Sequence, residues 1–253
     1  MPIITLTTDF GGRDGYVGAM KGVIARLAPK ATIVDIAHDI PRGDIAHAAW
    51  VIATSTREFP YGSIHVCVVD PGVGGARREV IVRADNGQWY VGPDNGVFTY
   101  VFDPRWDAWM IEDAAFRAPR VSKTFHGRDV FATAAALIAR GEDATRVGDA
   151  VKLTGALPWG PRSRGSGRIV HVDHYGNLIS DLPPAEAGRA VTILGQTLTI
   201  RGTYEDVPVG ELVAYVGSAA TIEVAVREGR ADTRLSAERG TPVLPASPLG
   251  PYR

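Results

Sequence analysis

The sequence predicts an α/β protein: a Rossmann-like N-terminal α/β domain followed by a C-terminal antiparallel β-barrel-like domain. In the first part, β-branched apolar runs alternate with segments of helical spacing, the pattern of a parallel sheet with right-handed crossovers. Prolines and glycines then cluster over 141–166, which indicates a passage between domains. Beyond it, short apolar runs separated by turn residues are typical of a small barrel or sandwich.

Strands and helices alternate from the start of the chain. We expect strands over 1–9, 31–36 and 64–69, and helices over 16–27 and 45–52. Asp44 is a good N-cap for the second helix, because its carboxylate can accept from a free backbone N–H of the first turn. The third strand has buried character throughout and stops at Asp70, where Pro71 and Gly72 force a turn.

Further elements complete the predicted N-terminal domain, residues 1–160. They are a hairpin of 79–83 with 89–91, a short helix over 97–102, a strand over 106–112 and a helix over 130–140. Asn86-Gly87 supplies the hairpin turn, and Gly141 closes the last helix.

The predicted C-terminal domain, residues 161–253, is all-β in pattern. Its strands are expected over 168–172, 191–194, 196–200, 212–216 and 221–226. Gly195 is placed at the tip of a hairpin, and the last residues, with Pro242, Pro245, Pro248 and Pro251, are expected to form an extended tail.

Composition excludes several functional classes. The 253 residues carry a net charge of -1, so no electrostatic argument favours nucleic acid or an anionic membrane surface as a partner. No apolar run approaches the roughly 20 residues that span a bilayer, and no signal-peptide pattern opens the chain. The single cysteine, Cys67, fits a reducing compartment. We therefore expect a cytoplasmic protein.

Asp70, Arg77 and His126 are candidates for catalysis. In open α/β sheets, ligands bind beyond the carboxyl ends of strands, where Asp70 lies, and a guanidinium within about 4–6 Å holds such a carboxylate ionised. The alternative is an ordinary Asp-Pro-Gly turn with a surface arginine. His126 precedes a helix and can act on a nucleophile or leaving group, or it is simply a loop histidine.

Asp9, with Asp14 nearby, ends the first strand at the same predicted edge. A carboxylate there can accept hydrogen bonds from a ribose diol, or it can merely cap the turn before the next helix. The glycines of 11–12 and 72–75 match neither a dinucleotide fingerprint nor a phosphate loop, so a polyphosphate ligand has weak support.

A polar segment follows the first strand of the second domain. Asp173, Tyr175 and Asn177 fit a purine-binding turn, in which the amide pairs with a base edge and the ring stacks; they fit a plain hairpin turn equally well. A zinc site of His171, Asp173 and His174 is disfavoured, because neighbouring residues of a strand point to opposite faces. No metal is expected.

Five motifs occur in the order found in one known family. They are Thr8-Asp9-Phe10-Gly11 with the following Tyr16–Gly22 segment, Val69–Gly74, Gly92-Pro93-Asp94-Asn95-Gly96, Phe125-His126-Gly127-Arg128-Asp129 and Asp173-x-Tyr175-Gly176-Asn177-Leu178. Over nearly its whole length the chain resembles the S-adenosylmethionine hydroxide adenosyltransferases, relatives of the fluorinase and chlorinase.

The resemblance implies a reaction and an assembly. Water or hydroxide displaces methionine from the 5′ carbon of S-adenosylmethionine, giving adenosine and L-methionine without a cofactor, in a homotrimer with active sites between subunits. It implies a catalytic set of Asp70, Arg77 and His126. The implied substrate-binding residues are Asp9, Asp14, Thr124, Phe125, Asp173, Tyr175, Asn177, Tyr215, Ser218, Val226 and Arg227.

Within that set the resemblance implies finer roles. Asp9 binds the ribose, Asp173 the methionine ammonium and Ser218 the methionine carboxylate, while Asn177 and Tyr175 bind adenine together with the backbone at 226–227. The chain departs from the family in two places, since Arg227 stands where an asparagine is usual and Gly217 replaces the asparagine of an Asn-Ser pair.

Two alternative functions remain open from the sequence. Halogenase relatives carry a tyrosine and a serine at the positions aligned with Asp70 and the His126-Gly127 pair. A carboxylate beside the nucleophile would repel a halide, so Asp70 favours water. A non-catalytic S-adenosylmethionine or adenosine sensor needs the pocket but not the Asp-Arg-His set.

Overall fold

The computed structural model describes residues 1–101, 103 and 105–246. The chain falls into two compact units, an N-terminal unit of Met1–Pro158 and a C-terminal unit that begins at Trp159. Each unit has its own hydrophobic core. Within the described residues, no helix has the length and apolar character needed to cross a membrane. The predicted α/β and barrel classes are both confirmed.

Six strands form one mixed sheet in the N-terminal unit. They are β1 (Ile3–Thr8), β2 (Thr32–Ala37), β3 (Ile64–Val68), β4 (Glu79–Arg83), β5 (Trp89–Pro93) and β6 (Asp107–Met110). The order across the sheet is β2-β1-β3-β5-β4-β6, with the first four strands parallel and β4 antiparallel to both of its neighbours.

Helices cover this sheet. They are α1 (Tyr16–Leu27), α2 (Ile45–Ser55) and α3 (Thr133–Arg140), which continues a π-helical segment (Gly127–Ala132); short 3-10 turns lie at Thr56–Glu58, Ala114–Phe116 and Ala144–Arg146. Alternate residues of β3 enter different cores, since Val66 packs in the cluster that contains residues of α1 and α3, and Cys67 in the cluster with residues of α2. Burial on both faces explains the continuous apolar run of β3.

Local signals at two helix ends are confirmed. The carboxylate of Asp44 accepts from the His47 backbone N–H at 3.0 Å, and Gly141 adopts the left-handed conformation (φ 103°) that ends α3. The last helical stretch begins at Gly127, three residues earlier than predicted, because it opens with π-helical turns.

The predicted helix over 97–102 is wrong. Residues 97–101 form turns, and residue 102 lies outside the described residues. The Asn95 side chain accepts from the Val97 N–H, and the Thr99 and Val101 N–H groups donate to carbonyls three residues back, at Gly96 and Phe98. This side-chain competition closes separate turns instead of a continued helix.

Seven strands form a closed barrel in the C-terminal unit. They are β7 (Gly167–Val172), β8 (Leu178–Ser180), β9 (Ala190–Ile193), β10 (Gln196–Arg201), β11 (Leu212–Val216), β12 (Ile222–Val226) and β13 (Pro242–Pro245). Their order is β10-β11-β12-β8-β7-β13-β9. Two short helices, α4 (Pro184–Ala187) and α5 (Ala231–Leu235), and a 3-10 turn at Tyr204–Asp206 accompany them.

The barrel differs from the prediction in three respects. The pair β10–β11 is parallel, whereas the other strand pairs are antiparallel. Strand β8 was not predicted. Pro242 and Pro245 belong to β13 and not to an extended tail, because the buried Val243 between them pairs with both β7 and β9. Pro248 and Pro251 lie outside the described residues.

Candidate active site

The candidate site begins where two neighbouring parallel strands end. Thr8 of β1 is paired in register with Val68 of β3, so Asp9 and Asp70 leave the sheet at the same edge. This is the edge at which α/β sheets bind ligands. The two carboxylates therefore come to one end of the N-terminal unit, as the strand pattern predicted.

Asp70 and Arg77 form a buried ion pair across the glycine-rich turn. Arg77 Nε lies 2.9 Å from Asp70 Oδ2 and 3.1 Å from Oδ1, and Arg77 Nη2 also donates to Oδ2. The side chains are only 3% (Asp70) and 9% (Arg77) exposed, so the pair is largely withdrawn from water. The surface-arginine alternative is wrong.

The turn between the two residues depends on glycine. Gly74 has φ 74°, and a Cβ placed there would lie 2.4 Å from the Lys123 carbonyl oxygen. Only glycine permits both this conformation and this close approach. The contact packs the turn against the segment that leads to His126.

His126 joins the ion pair. It is the residue before the π-helical segment, it is 8% exposed, and its Nδ1 lies 2.9 Å from Arg77 Nη2. A Cβ on Gly127 would meet the Phe10 ring at 3.2 Å, so glycine lets this helix start approach the loop after β1. The structure thus brings the three candidate catalytic residues into one cluster.

Two further residues of this cluster escaped sequence reasoning. Glu79 Oε1 lies 2.5 Å from Arg77 Nη1 and 2.9 Å from His126 Nδ1, and Glu79 Oε2 accepts from Arg117 Nη2 at 2.9 Å. Arg117 is held by the Ile111 carbonyl. The only sequence signal for Glu79 was its position at the start of β4, two residues after Arg77. A glutamate at the start of a strand is common, so this position did not indicate a role in the site.

The charges of the cluster support one another. Burial raises the pKa of Glu79, but hydrogen bonding and attraction from Arg77, with further attraction from Arg117 and His126, lower it overall. Burial likewise lowers the pKa of Arg77, but its bonds to Asp70 and Glu79 raise it overall. Both groups are therefore held in their charged forms.

The Gly92–Gly96 motif fixes the backbone next to Asp70. The Asn95 amide donates to the carbonyl of Val69, the residue before Asp70, at 2.9 Å. Asp94 accepts from Arg78 and from the backbone N–H groups of Thr154 and Gly155. The Asp94 and Asn95 side chains therefore stabilise the fold, because their hydrogen bonds are to other residues of the same unit.

The other predicted residues of the N-terminal unit lie near the same loops. Asp9 Oδ2 accepts from the Gly43 N–H at 2.8 Å, and Asp14 is exposed. Phe125 packs edge to face against Tyr16, with ring centroids 5.3 Å apart. Thr124 is exposed beside it.

The predicted purine-binding turn of the C-terminal unit is stabilised by Asp173. Its Oδ1 accepts from the backbone N–H groups of Tyr175 and Asn177 at 2.9 and 2.8 Å, and its Oδ2 accepts from the Asn177 amide at 2.8 Å. The carboxylate thus orders the turn, which leaves Tyr175 72% exposed, so its ring is available to stack.

A chain of polar groups continues from this turn into the barrel. The Asn177 amide donates to the Tyr204 hydroxyl at 3.3 Å, the Tyr204 and Tyr215 hydroxyls are bonded, and Tyr215 donates to Glu223 Oε2 at 2.7 Å. Burial raises the pKa of Glu223; the Tyr215 bond lowers it, and repulsion by Asp173 raises it further. Burial and the bonds to Glu223 and Tyr204 also raise the pKa of Tyr215.

A cavity of about 580 Å³ opens beside this chain of groups. Its lining residues are Tyr175, Asn177, Tyr204, Glu205, Val226, Arg227, Glu228 and Gly229. Four of them, Tyr175, Asn177, Val226 and Arg227, are residues that the sequence analysis singled out. Ser218 is exposed in the turn between β11 and β12, outside this lining.

Arg227, which replaces the usual asparagine, is turned back onto the barrel. Its Nη1 donates to the Val207 carbonyl at 2.9 Å, its N–H donates to Glu211 and its carbonyl accepts from Gly210. The Val226 carbonyl accepts from Gly229. These backbone groups are therefore already engaged within the unit.

Metal ligands are not clustered in the described part of the chain, where no group of three or more His, Cys, Asp or Glu side chains could hold an ion.

A mixed α/β unit that contains the buried Asp70, Arg77 and His126 cluster, followed by a closed β-barrel unit, defines a two-domain class of proteins. A sequence model of the SAM hydroxide adenosyltransferase N-terminal domain matches residues 4–148, and one of the C-terminal domain matches residues 167–244. The chain belongs to the SAM hydroxide adenosyltransferase family, which confirms the resemblance.

Named relatives cover almost the whole chain. It is 40% identical to the (R)-S-adenosyl-L-methionine hydrolase of Thermus thermophilus, over 93% of this chain and 96% of the relative. It is 38% identical to that of Salinispora arenicola, over 94% and 95%. The fluorinase of an Actinoplanes species is 27% identical, over 75% and 74%.

Solved structures share the fold. A conserved protein from Thermotoga maritima superposes with a TM-score of 0.86 at 31% identity, covering 95% of this chain and 98% of that one. A conserved protein from Thermus thermophilus gives a TM-score of 0.83 at 37% identity, covering 96% and 99%.

Proposed function

We propose that this chain is an enzyme that hydrolyses S-adenosyl-L-methionine to adenosine and L-methionine. The observation that carries the proposal is the buried cluster of Asp70, Arg77 and His126 at the carboxyl end of the sheet. Family membership supports the substrate, and the names of the relatives point to the (R) configuration at the sulfonium.

The reaction needs help at the nucleophile and little at the leaving group. The water oxygen bonds to C5′ of the ribose as the C5′–S bond breaks. The electron pair of the C5′–S bond goes to sulfur. Methionine leaves as a neutral thioether, so no acid has to protonate it. One proton of the water is lost, and Asp70 is its acceptor in this proposal.

Arg77 and His126 complete the catalytic set. Water gains hydroxide character as it attacks, and a guanidinium and an imidazole beside Asp70 stabilise that charge. Their near-complete burial strengthens these interactions, because little water remains to screen them. Arg77 is already fixed by Asp70 and Glu79, so its reorganisation during the reaction is small.

The proposal assigns substrate-binding residues within each unit. In the N-terminal unit, Asp9 binds the ribose with Asp14 nearby, and Thr124 and Phe125 are further substrate-binding residues. Asn177 and Tyr175 bind adenine at the cavity of the C-terminal unit, whose lining also includes Val226 and Arg227, and this lining supports the assignment. The remaining substrate contacts of the proposal are Asp173, Tyr215 and Ser218. No cofactor takes part.

Incubation with S-adenosyl-L-methionine in water enriched in ¹⁸O tests the proposal. We expect adenosine and methionine in equal amounts, with ¹⁸O in the 5′ hydroxyl of adenosine and none in methionine. Mixtures of known ratio of the two sulfonium epimers should lose the (R) form first. Label in methionine, or homoserine as a product, would contradict attack at C5′.

The alternatives give different results in the same assay. A halogenase would form a 5′-halo-5′-deoxyadenosine when chloride or fluoride is added. A sensor would bind S-adenosylmethionine in calorimetry and form no adenosine at all. Either outcome would replace the hydrolase proposal.

The assembly and the compartment belong to the proposal as well. We propose a cytoplasmic homotrimer, which the lone buried cysteine and the family resemblance support. Light scattering should then give a mass three times the 27.0 kDa of one chain. A monomer at assay concentration would contradict the trimer.

A further inference from the structure

The Glu79 carboxylate contacts three basic side chains of the candidate catalytic cluster, those of Arg77, Arg117 and His126. Its Oε1 faces Arg77 Nη1 at 2.5 Å and His126 Nδ1 at 2.9 Å, and its Oε2 faces Arg117 Nη2 at 2.9 Å. The carboxylate is only 14% exposed. It lies on the opposite end of the Arg77 guanidinium from Asp70, since Nη1 binds Glu79 while Nε and Nη2 bind Asp70.

The His126 Nδ1 atom has two competing neighbours. It lies 2.9 Å from Arg77 Nη2, which can only donate, and 2.9 Å from Glu79 Oε1, which as a carboxylate can only accept. Without a proton, Nδ1 accepts from Arg77. With a proton, Nδ1 donates to Glu79. The two neighbours therefore provide a partner for either state of the same ring nitrogen.

We propose that Glu79 is a positioning residue that aligns Arg77 and His126 and governs whether His126 Nδ1 carries a proton. This inference rests on the proposed function only in so far as His126 takes part in the reaction. Arg117 moderates the effect, because its guanidinium offsets part of the Glu79 charge. On the helical segment that follows His126, Asp129 also interacts electrostatically with the imidazole, and Arg128 on the same segment pairs with Asp129.

Histidine NMR tests the inference without substrate. The chain has six histidines, so ¹³C labelling at Cε1 gives few signals, and loss of one in His126→Gln assigns it. In Glu79→Gln the His126 titration midpoint should move to lower pH, because the nearby negative charge is gone. In Arg117→Gln it should move to higher pH, because the Glu79 charge is less compensated, and Arg117→Lys should restore the midpoint.

Opposite displacements separate electrostatic control from structural damage. A variant that merely loosens the cluster would move the midpoint in one direction for both substitutions, and that result overturns the inference. The matched control is Glu142→Gln, which removes a half-exposed carboxylate paired with Arg140 and should leave the midpoint unchanged. If Glu79→Gln leaves the His126 titration midpoint unchanged, the role proposed for Glu79 is also overturned.

Kinetics supply the second measurement. Glu79→Gln should lower kcat roughly 10- to 100-fold with little change in KM, because misplaced catalytic groups cost rate more than binding. The pH dependence of kcat should move in the same direction as the NMR midpoint. If the unaltered protein forms no adenosine, the proposed function fails while the NMR result still decides the role of Glu79; an unchanged kcat in Glu79→Gln overturns that role.

Discussion

At the residue scale, substitution of Asp70 is the most direct test of the proposed proton transfer from water. Asp70→Asn keeps a hydrogen-bond acceptor for Arg77 but removes the negative charge that takes the proton of water. We expect kcat to fall roughly 10²- to 10⁴-fold, and Asp70→Ala to abolish adenosine formation, while S-adenosylmethionine still binds. Calorimetric binding and chromatographic detection of adenosine measure the two effects.

The control for this substitution is Glu58→Gln, whose carboxylate is 78% exposed. It should keep full activity. Unchanged turnover in Asp70→Asn would remove Asp70 from the mechanism, and loss of binding together with turnover would make it a substrate-binding residue instead.

The residue scale also shows what the sequence could predict of the site. Asp70 and Arg77 are seven positions apart across a glycine turn, so their meeting was predictable from local geometry. Glu79 meets Arg117 and His126 across 38 and 47 positions, and nothing in the local pattern encodes that proximity. Tertiary packing alone brings them together, which is why Glu79 and Arg117 were missed.

At the scale of elements, the turn between β3 and β4 depends on Gly74. Gly74→Ala would place a side chain at φ 74° and within 2.4 Å of the Lys123 carbonyl, so strain and overlap both act. We expect a loss of about 1–3 kcal/mol in the free energy of unfolding. Activity should also fall at temperatures where the protein stays folded, because Arg77 lies on the same turn.

A matched substitution isolates the overlap. Gly141 also has positive φ, 103°, but its added Cβ would meet nothing within 4 Å. Gly141→Ala should therefore cost stability through backbone strain alone and keep kcat. Equal kcat in the two variants would mean that the turn does not position Arg77.

Elements with strong periodicity were predictable, and elements defined by their partners were not. The pattern of α1 identified its bounds, Tyr16–Leu27, from the sequence. Strand β8 has only three residues, and β13 is bordered by prolines, so neither carries a local strand signal. Both strands form through pairing with their neighbours in the barrel: β8 pairs with β7 and β12, and Val243 of β13 pairs with residues of β7 and β9.

At the scale of the whole molecule, each unit has one buried or half-buried glutamate whose pKa is shifted, and the two shifts have opposite directions. In the N-terminal unit, Glu79 faces two guanidiniums, and its pKa is lowered from the ordinary value of 4.5. In the C-terminal unit, Glu223 is buried and accepts from the Tyr215 hydroxyl, and burial together with repulsion by Asp173 raises its pKa from the same value. Acid should therefore change the contributions of these two carboxylates to stability in opposite ways.

The signs follow from linkage between protonation and folding. Glu79 ionises more readily in the folded state, so its contribution to stability is present above pH 4.5 and is lost as the pH falls through its lowered pKa. Glu223 ionises less readily in the folded state, so its contribution is present below pH 4.5 and is lost as the pH rises through its raised pKa.

Thermal unfolding of Glu79→Gln and Glu223→Gln between about pH 2 and pH 8 measures both effects. Glu79→Gln should be less stable than the unaltered protein near neutral pH, and the difference should shrink as the pH falls below 4.5. Glu223→Gln should match the unaltered protein in acid and become the more stable of the two as the pH rises, because the neutral amide still accepts from Tyr215 without a buried charge. A difference that stays constant with pH for either variant would show that its carboxylate titrates alike in the folded and unfolded chain.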